Sequence, residues 1–278
     1  MKVYTLNVGQ GQFVVVVGSS EAIIVDTFVP LQTEDKIENV KGALADIISG
    51  KNLIGLVITG FDADHFNEVG IKIVLNKYRP DWIMYPKYYK ESKVATHGFS
   101  LIKEFEKQKE ITRHSIALND DKLRFFNNFS KDFSFEVFSP NKSDMDSSNN
   151  SSLVCKIIEN ATNRTYLVTG DTENARWNAI AKAFGNALKS DVLDAPHHGS
   201  ANGITEEAIK LIKPHTVLIS AGRGNKYGHP DSDAVDIFKK ITDKVYCTKD
   251  AADSGKKSSS IVTDLTSAGI NSAIYTPH

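Results

Sequence analysis

Two carboxylates and an imidazole follow an apolar run, residues 53–58, in the segment that contains Asp62, Asp64 and His65. In an extended chain, residues two apart face the same side, so Asp62 and Asp64 can converge while a turn brings His65 alongside. Carboxylates and imidazoles bind zinc, manganese or iron, and the surplus of oxygen ligands keeps manganese a competitor of zinc. Taken alone, the segment is equally compatible with a loop that caps a helix or makes surface hydrogen bonds.

Two later segments repeat this arrangement. Asp171 follows the apolar run 165–169, although an aspartate after a glycine is also common turn chemistry. His197 and His198 follow the run 191–195, and adjacent imidazoles can bind a metal or a phosphate while one of them transfers a proton. Acidic or imidazole side chains therefore occur at three predicted strand ends, which together predict one polynuclear metal site.

The composition is that of a globular domain. The 278 residues are 41% hydrophobic and 24% charged, with a formal net charge of −1, so the global basic field common in nucleic-acid binders is absent. Two cysteines are too few for a disulfide framework, and we find no secretion signal and no apolar run of about 18 residues. We expect a cytoplasmic protein with no membrane association, and one domain, residues 1–278, with a rim insertion at about 87–115.

Hydrophobic periodicity predicts an alternation of strands and helices. A meander of three strands precedes a helix that leads into the first motif, and strand, motif and helix then repeat, which suits two sheets packed face to face with helices outside. The predicted strands are 2–8, 12–18, 21–26, 53–58, 82–85, 122–127, 133–138, 152–158, 165–169, 191–194 and 216–220. The predicted helices are 33–49, 66–78, 101–109, 173–187 and 205–212, before a final helix and two or three strands.

Six short segments are informative as a set. They are NVGQG (7–11), IIVDT (23–27), TGFDADH (59–65), LVTGD (167–171), APHHGS (195–200) and YGHP (227–230). In that order they resemble the metallo-β-lactamase-fold hydrolases of the ComEC-like type. The resemblance implies an α/β fold, an αββα sandwich of two mixed β-sheets flanked by helices, with a metal centre at the sheet edges. Many relatives in that family hydrolyse phosphodiesters.

Carried over residue by residue, the resemblance implies a metal site and the groups around it. The metal-site candidates are Asp62, Asp64, His65, Asp171 and His197. His198 and His229 are candidates for a ligand or for proton transfer, and Asp64 or Asp171 would orient the attacking water. Asp26 would not bind the metal itself but would orient one of its ligands. Which member of the adjacent histidine pair binds the metal stays open, because spacing does not distinguish them.

The departures from the family pattern concern the first ligand above all. Where the family reads His-Pro-Asp-Ala-Asp-His, this chain has Gly60 at the first position, which offers no side chain to a metal. Asn67 and Glu68 replace the usual glycine pair, and Gln12 replaces the usual aspartate. The resemblance therefore implies one or two divalent ions, zinc or manganese, with one ion favoured.

The function expected from this pattern is hydrolysis by a metal-activated water, as in a phosphodiesterase or nuclease. Arg223, Lys226 and Tyr227, which precede His229, could bind the substrate phosphate or nucleic acid, the arginine bidentately. The alternative is a degenerate family member that binds a nucleotide, a nucleic acid or an unknown protein partner without catalysis. Hydrolysis of an amide or ester is a third option. No GxSxG, P-loop or HExxH motif is present, which excludes serine-based hydrolysis and nucleotide-triphosphate switching.

Overall fold

The computed structural model describes residues 1–31, 34–87, 92–109, 111–118, 122–142, 147–251 and 259–277. Within these ranges the chain forms two mixed β-sheets that pack face to face, with helices on both outer faces. The predicted αββα sandwich and its α/β class are confirmed. No helix in the described ranges combines the length and the apolar character needed to cross a bilayer.

The first sheet has eight strands and changes from antiparallel to parallel pairing at its centre. In spatial order its strands are β15 (Gly269–Tyr275), β14 (Ser260–Thr266), β1 (Lys2–Thr5), β2 (Val14–Val17), β3 (Glu21–Val25), β4 (Asn52–Val57), β5 (Trp82–Pro86) and β6 (Thr112–Ile116). The pairs from β3 to β6 are parallel. The carboxyl ends of β3 and β4 therefore lie side by side.

The second sheet has seven strands and also combines a parallel half with an antiparallel half. In spatial order its strands are β13 (Val245–Cys247), β12 (Thr216–Ile219), β11 (Val192–Asp194), β10 (Thr165–Val168), β9 (Val154–Glu159), β8 (Phe133–Ser139) and β7 (Arg124–Phe126). The pairs from β10 to β13 are parallel, so the carboxyl ends of β10, β11 and β12 are also neighbours.

Three buried layers hold the sandwich together. The middle layer lies between the sheets and includes Val16 and Val25 from the first sheet and Phe135 and Val168 from the second. Each outer layer lies between one sheet and its helices. The helices are α1 (Glu34–Ile47), α2 (Glu68–Lys77) and α3 (Lys93–Lys109) on the first sheet, and α4 (Asn174–Phe184), α5 (Glu206–Ile212) and α6 (Ser232–Lys239) on the second, with a short α7 (Thr248–Ala251) between β13 and β14. Because strands that are buried on both faces need apolar side chains on both, the β2 sequence VVVV is apolar without alternation.

The region predicted as a rim insertion contains a helix and a strand that extend the first layer. Residues 88–91 and 110 of that region lie outside the described residues. Helix α3 begins at Lys93, eight residues before the predicted start, and Gly98 in its first half packs against Phe66, where a Cβ would lie 1.7 Å from the ring. Strand β6 was not predicted because its sequence, TRHSI, is largely polar, as suits an edge strand.

Asn67, which replaces a glycine of the family pattern, begins helix α2 directly after the first motif. Its Oδ1 accepts a hydrogen bond from the backbone N–H of Gly70 at 2.9 Å, and its Nδ2 donates to the carbonyl oxygen of Val29 at 2.6 Å. An asparagine in this position caps a helix well. Asn67 therefore fixes the start of α2 and ties it to the loop that contains Val29.

Candidate metal centre

The loops after neighbouring parallel strands hold the predicted chemistry. Asp26 follows β3, His65 lies in the loop after β4, and Asp171 lies in the loop after β10. In open α/β sheets, ligand sites form beyond the carboxyl ends of the strands. Here the strand ends of the two sheets face each other, and residues far apart in sequence come into contact.

Four side chains offer potential ligand atoms that all lie within 4.8 Å of one another: Asp64, His65, Asp171 and His198. Asp171 Oδ1 lies 2.8 Å from His65 Nε2. The Nε2 atom of His198 lies 3.6 Å from Asp64 Oδ2 and 3.7 Å from Asp171 Oδ1. Two carboxylates and two imidazoles form a donor set that zinc or manganese accepts, so this cluster could hold a divalent cation.

The ring of His198 is oriented as a metal ligand would be. Its Nδ1 lies 2.7 Å from the carbonyl oxygen of Ser220 and therefore carries the ring proton. Its Nε2 is buried, has no hydrogen-bond partner in the described part of the chain, and faces Asp64 and Asp171. Burial lowers the pKa of His198, so the imidazole is neutral near neutral pH. A buried lone pair without a partner is costly, and ligating histidines usually donate their other N–H to a fixed acceptor, so this atom fits a cation.

A fully buried carboxylate orients His65 from behind. Asp26 Oδ2 lies 2.8 Å from His65 Nδ1, and the same carboxylate accepts hydrogen bonds from the backbone N–H of Thr59 at 2.7 Å and from its hydroxyl at 2.6 Å. Such a pair fixes the ring and raises the basicity of the opposite nitrogen. Burial opposes a charge on His65, but Asp171 and Asp26 raise its pKa well above the ordinary value. A cation would therefore displace a proton from this ring on binding.

Gly170 allows Asp171 to reach the first sheet. Gly170 has a φ of +54°, and a Cβ there would lie 2.9 Å from the side chains of both Ser152 and Thr59. A larger residue would separate the two strand ends. Burial disfavours ionisation of Asp171, but the charge and the hydrogen bond of the His65 imidazole hold its pKa below the ordinary value, so the carboxylate is charged at neutral pH.

The adjacent histidines turn to different surroundings. His197 and His198 both have left-handed backbone angles, with φ of 51° and 54°, a conformation that is strained for residues other than glycine. His198 is buried in the four-residue cluster, whereas the side chain of His197 is 22% exposed and its Nδ1 lies 3.6 Å from Glu173 Oε1. His197 is outside the set of mutually close ligand atoms in the described residues. Its role as a ligand stays a prediction.

A cleft of about 540 Å³ opens above the cluster. Asp62, His197 and His229 line it, and Asp62 also lies outside the set of four within the described ranges. Burial raises the pKa of Asp62, an effect that His65 partly offsets. The rings of His197 and His229 have centroids 5.7 Å apart and form one wall of the cleft.

The three predicted phosphate contacts divide between two cavities. Lys226 and Tyr227 line the metal cleft, while Arg223 lines an adjoining cavity. The ring of Tyr227 is 53% exposed and lies nearly parallel to His229, at a centroid distance of 5.7 Å and an interplanar angle of 16°. The Nζ atom of Lys226 lies 4.7 Å from the Tyr227 ring centroid. The cleft therefore has an acidic floor, formed by Asp62, Asp64 and Asp171, and a basic and aromatic rim, formed by Lys226 and Tyr227.

Gln12, which replaces a family aspartate, has a structural role here. Its backbone N–H donates to the carbonyl oxygen of Asp64 at 2.8 Å, and its Nε2 donates to Asp194 Oδ2 at 2.5 Å. Burial raises the pKa of Asp194 to about 8, so this carboxyl group is mostly protonated at neutral pH. Gln12 thus connects the loop that carries Asp64 to the end of β11.

Sequence patterns did not indicate two residues at or beside the cleft, Asn149 and Glu173. Asn149 lines it and donates through Nδ2 to Glu173 Oε1 at 2.9 Å, and Glu173 in turn lies beside His197. Both residues come from polar loops, where acidic and amide side chains are common. Their spacing from the motifs carries no signal that could have selected them.

The family model of the metallo-beta-lactamase superfamily matches residues 6–223, a range that contains the whole four-residue cluster. The chain belongs to the metallo-β-lactamase superfamily. The predicted ComEC-like resemblance is also confirmed, because ComE operon protein 3 of Bacillus subtilis (strain 168) is 31% identical over 203 residues. That alignment covers 71% of this chain and 24% of the relative, so the chain spans about a quarter of the longer protein.

Two solved structures share the fold at low sequence identity. Igni18, a metallo hydrolase from the archaeon Ignicoccus hospitalis, has a TM-score of 0.56 and 12% identity, with 95% of this chain and 100% of that chain covered. CmlA from Streptomyces venezuelae, a diiron β-hydroxylase, has a TM-score of 0.50 and 14% identity, with 86% and 50% covered. Similarity at this level establishes the fold alone.

Proposed function

We propose that this protein is a metal-dependent phosphodiesterase or nuclease that holds one cation, zinc or manganese, between Asp64, His65, Asp171 and His198. The observation that carries the proposal is the buried Nε2 atom of His198, which faces two carboxylates without a hydrogen-bond partner among the described residues. When bound, the cation supplies Lewis acidity and lowers the pKa of water towards neutrality.

The residues around the cluster support distinct roles. Asp64 is 27% exposed to the cleft, so its carboxylate can hold the attacking water as well as the cation. His229 lines the same cleft, and its imidazole is a candidate to pass a proton to the leaving oxygen. Lys226 and Tyr227 on the rim can hold a phosphate oxygen, which favours a phosphodiester over an amide or ester.

The first test is metal-dependent turnover of a minimal substrate. Purified protein with zinc or manganese is expected to hydrolyse bis(p-nitrophenyl) phosphate, and chelation is expected to lower the rate at least about a hundredfold because water then loses its activation. Added metal should restore the rate, and His198→Ala protein prepared identically controls for contaminants. No turnover with either metal would contradict the proposal, and turnover of p-nitrophenyl acetate alone would favour the ester alternative.

The second candidate function, binding without cleavage, is favoured by Gly60. A Cβ at this position would meet no atom of the described residues within 4 Å, and the backbone is not left-handed, so the position accepts a side chain. On this function the unaltered protein does not hydrolyse the minimal substrate, and we expect Gly60→His to bind an additional equivalent of metal, measured by mass spectrometry of the desalted protein, and to gain hydrolysis. Gly60→Ala is the matched control without an imidazole. Unchanged metal content in Gly60→His would contradict a vacant ligand position.

A further inference from the structure

A second cavity lies next to the metal cleft and is positively charged. It has a volume of about 420 Å³ and is bounded by the loop between β1 and β2, by α1 and by the loop after β12. Its lining contains Lys36, Arg223 and Lys249 and, among the described residues, no aspartate or glutamate. In a protein with a formal net charge of −1, three cations around one cavity form a local anion-attracting surface.

Gln10 and Asn225 line both cavities and form the junction between them. Asn225 is held firmly, because its Nδ2 donates to the carbonyl oxygens of Gly222 at 2.8 Å and His229 at 2.7 Å. Gln10 accepts a hydrogen bond from the N–H of Gly222 at 3.2 Å, whereas its Nε2 is enclosed and has no acceptor in the described part of the chain. The junction therefore offers a polar donor that still needs an acceptor.

The two cavities have opposite electrostatic character. Asp62, Asp64 and Asp171 make the floor of the metal cleft acidic, so an anion approaches it favourably only with the cation in place. The adjoining cavity attracts anions without a metal. Because Gln10 and Asn225 line both cavities, a strand with successive phosphates can reach from one cavity to the other, which a substrate with one phosphate cannot do.

We propose that the cavity lined by Lys36, Arg223 and Lys249 binds a backbone phosphate of a nucleic acid strand, next to the phosphate that reaches the metal cleft. This inference rests on the proposed function. It makes a nucleic acid strand, and not an isolated phosphodiester, the preferred substrate. Lysine ammonium groups suit such contacts because they bind phosphate oxygens without selecting a base.

The kinetic test compares two substrates in two variants. Lys36→Ala combined with Lys249→Ala is expected to raise KM for a single-stranded 12-mer of DNA about five- to tenfold more than KM for bis(p-nitrophenyl) phosphate. Lys182→Ala, which removes an exposed helical lysine from α4, is the matched control and should change neither value. Equal effects of the double variant on the two substrates, or none on either, would overturn the inference.

A binding test separates this inference from the proposed function. Fluorescence polarisation of the labelled 12-mer with chelated protein measures the cavity without turnover. The double variant should bind the 12-mer about five- to tenfold more weakly. A plot of the logarithm of the binding constant against the logarithm of the salt concentration should become less steep by about 0.7 for each lost phosphate contact. Thymidine 5′-diphosphate should compete only weakly even without the metal, because it lacks the neighbouring nucleotides with which the strand also reaches Lys226 and Tyr227 on the rim of the cleft. Strong lysine-dependent competition by this nucleotide would overturn a strand site in favour of a free-nucleotide site. If the protein binds the 12-mer in a lysine-dependent way but hydrolyses no substrate, the proposed function is rejected and the phosphate-binding cavity is retained.

Discussion

Replacing His198 with alanine is expected to remove the bound cation and, with it, hydrolysis. His198 contributes the buried Nε2 atom that faces Asp64 and Asp171, and no other described side chain is positioned to take over that atom's place in the cluster. Loss of a group that merely supports a ligand typically costs 10- to 100-fold in metal affinity, so loss of this ligand should cost more than about a hundredfold. Isothermal titration with zinc and with manganese measures the loss directly.

His197→Ala is the matched control, because it removes an identical side chain from the adjacent residue. His197 faces the cleft and not the cluster. This variant should retain its metal, although its kcat or KM can change through contact with substrate. The opposite pattern, with metal lost from His197→Ala and kept in His198→Ala, would exchange the two roles and restore the ligand assignment that the sequence resemblance implied for His197.

Asp171→Asn is expected to have a similarly large effect by a different route. The substitution keeps the shape of the side chain but removes the charge that lies against His65 Nε2 at 2.8 Å and His198 Nε2 at 3.7 Å. A neutral amide compensates a divalent cation poorly, so metal affinity should fall more than about a hundredfold. Metal content and turnover of bis(p-nitrophenyl) phosphate are the two measurements, and circular dichroism verifies that the variant is folded.

Asp62→Asn provides the comparison within the same cleft. Asp62 lies outside the set of four close ligand atoms in the described chain, so we expect this variant to keep the cation and lose less than about tenfold in affinity. An equal loss of metal from both aspartate variants would mean that Asp62 is also a ligand, as the resemblance implied. Retention of metal by Asp171→Asn would contradict the proposed centre.

The sandwich was predictable because its strands and helices have strong local signals. The run VVVV in β2 is apolar on both faces, and the helix stripe that includes Val40, Leu44 and Ile47 has helical spacing. Helix α3 and strand β6 were less predictable, since their positions depend on tertiary contacts and not on local sequence patterns. Gly98 lowers helix propensity yet is needed beside Phe66, and β6 is polar because it lies at the sheet edge.

The site was predictable in position but not in detail. Carboxylates and imidazoles after strands indicated where a metal centre would form, and Asp64, His65 and Asp171 do converge there. The choice between His197 and His198 depends on two left-handed residues in succession, which no local sequence pattern specifies. Lys36 and Lys249 were not indicated at all. They lie more than two hundred residues apart in sequence, and only the folded chain brings them to one cavity.

The ligand candidates are divided evenly along the polypeptide, with Asp64 and His65 before β7 and Asp171 and His198 after it. A fragment that ends between β6 and β7 would carry half of the donor set, and the complementary fragment would carry the other half. Neither piece alone would supply all four ligands. Association of the two fragments would therefore be accompanied by metal uptake, and the bound ion would stabilise the complex of two separately made parts of one molecule.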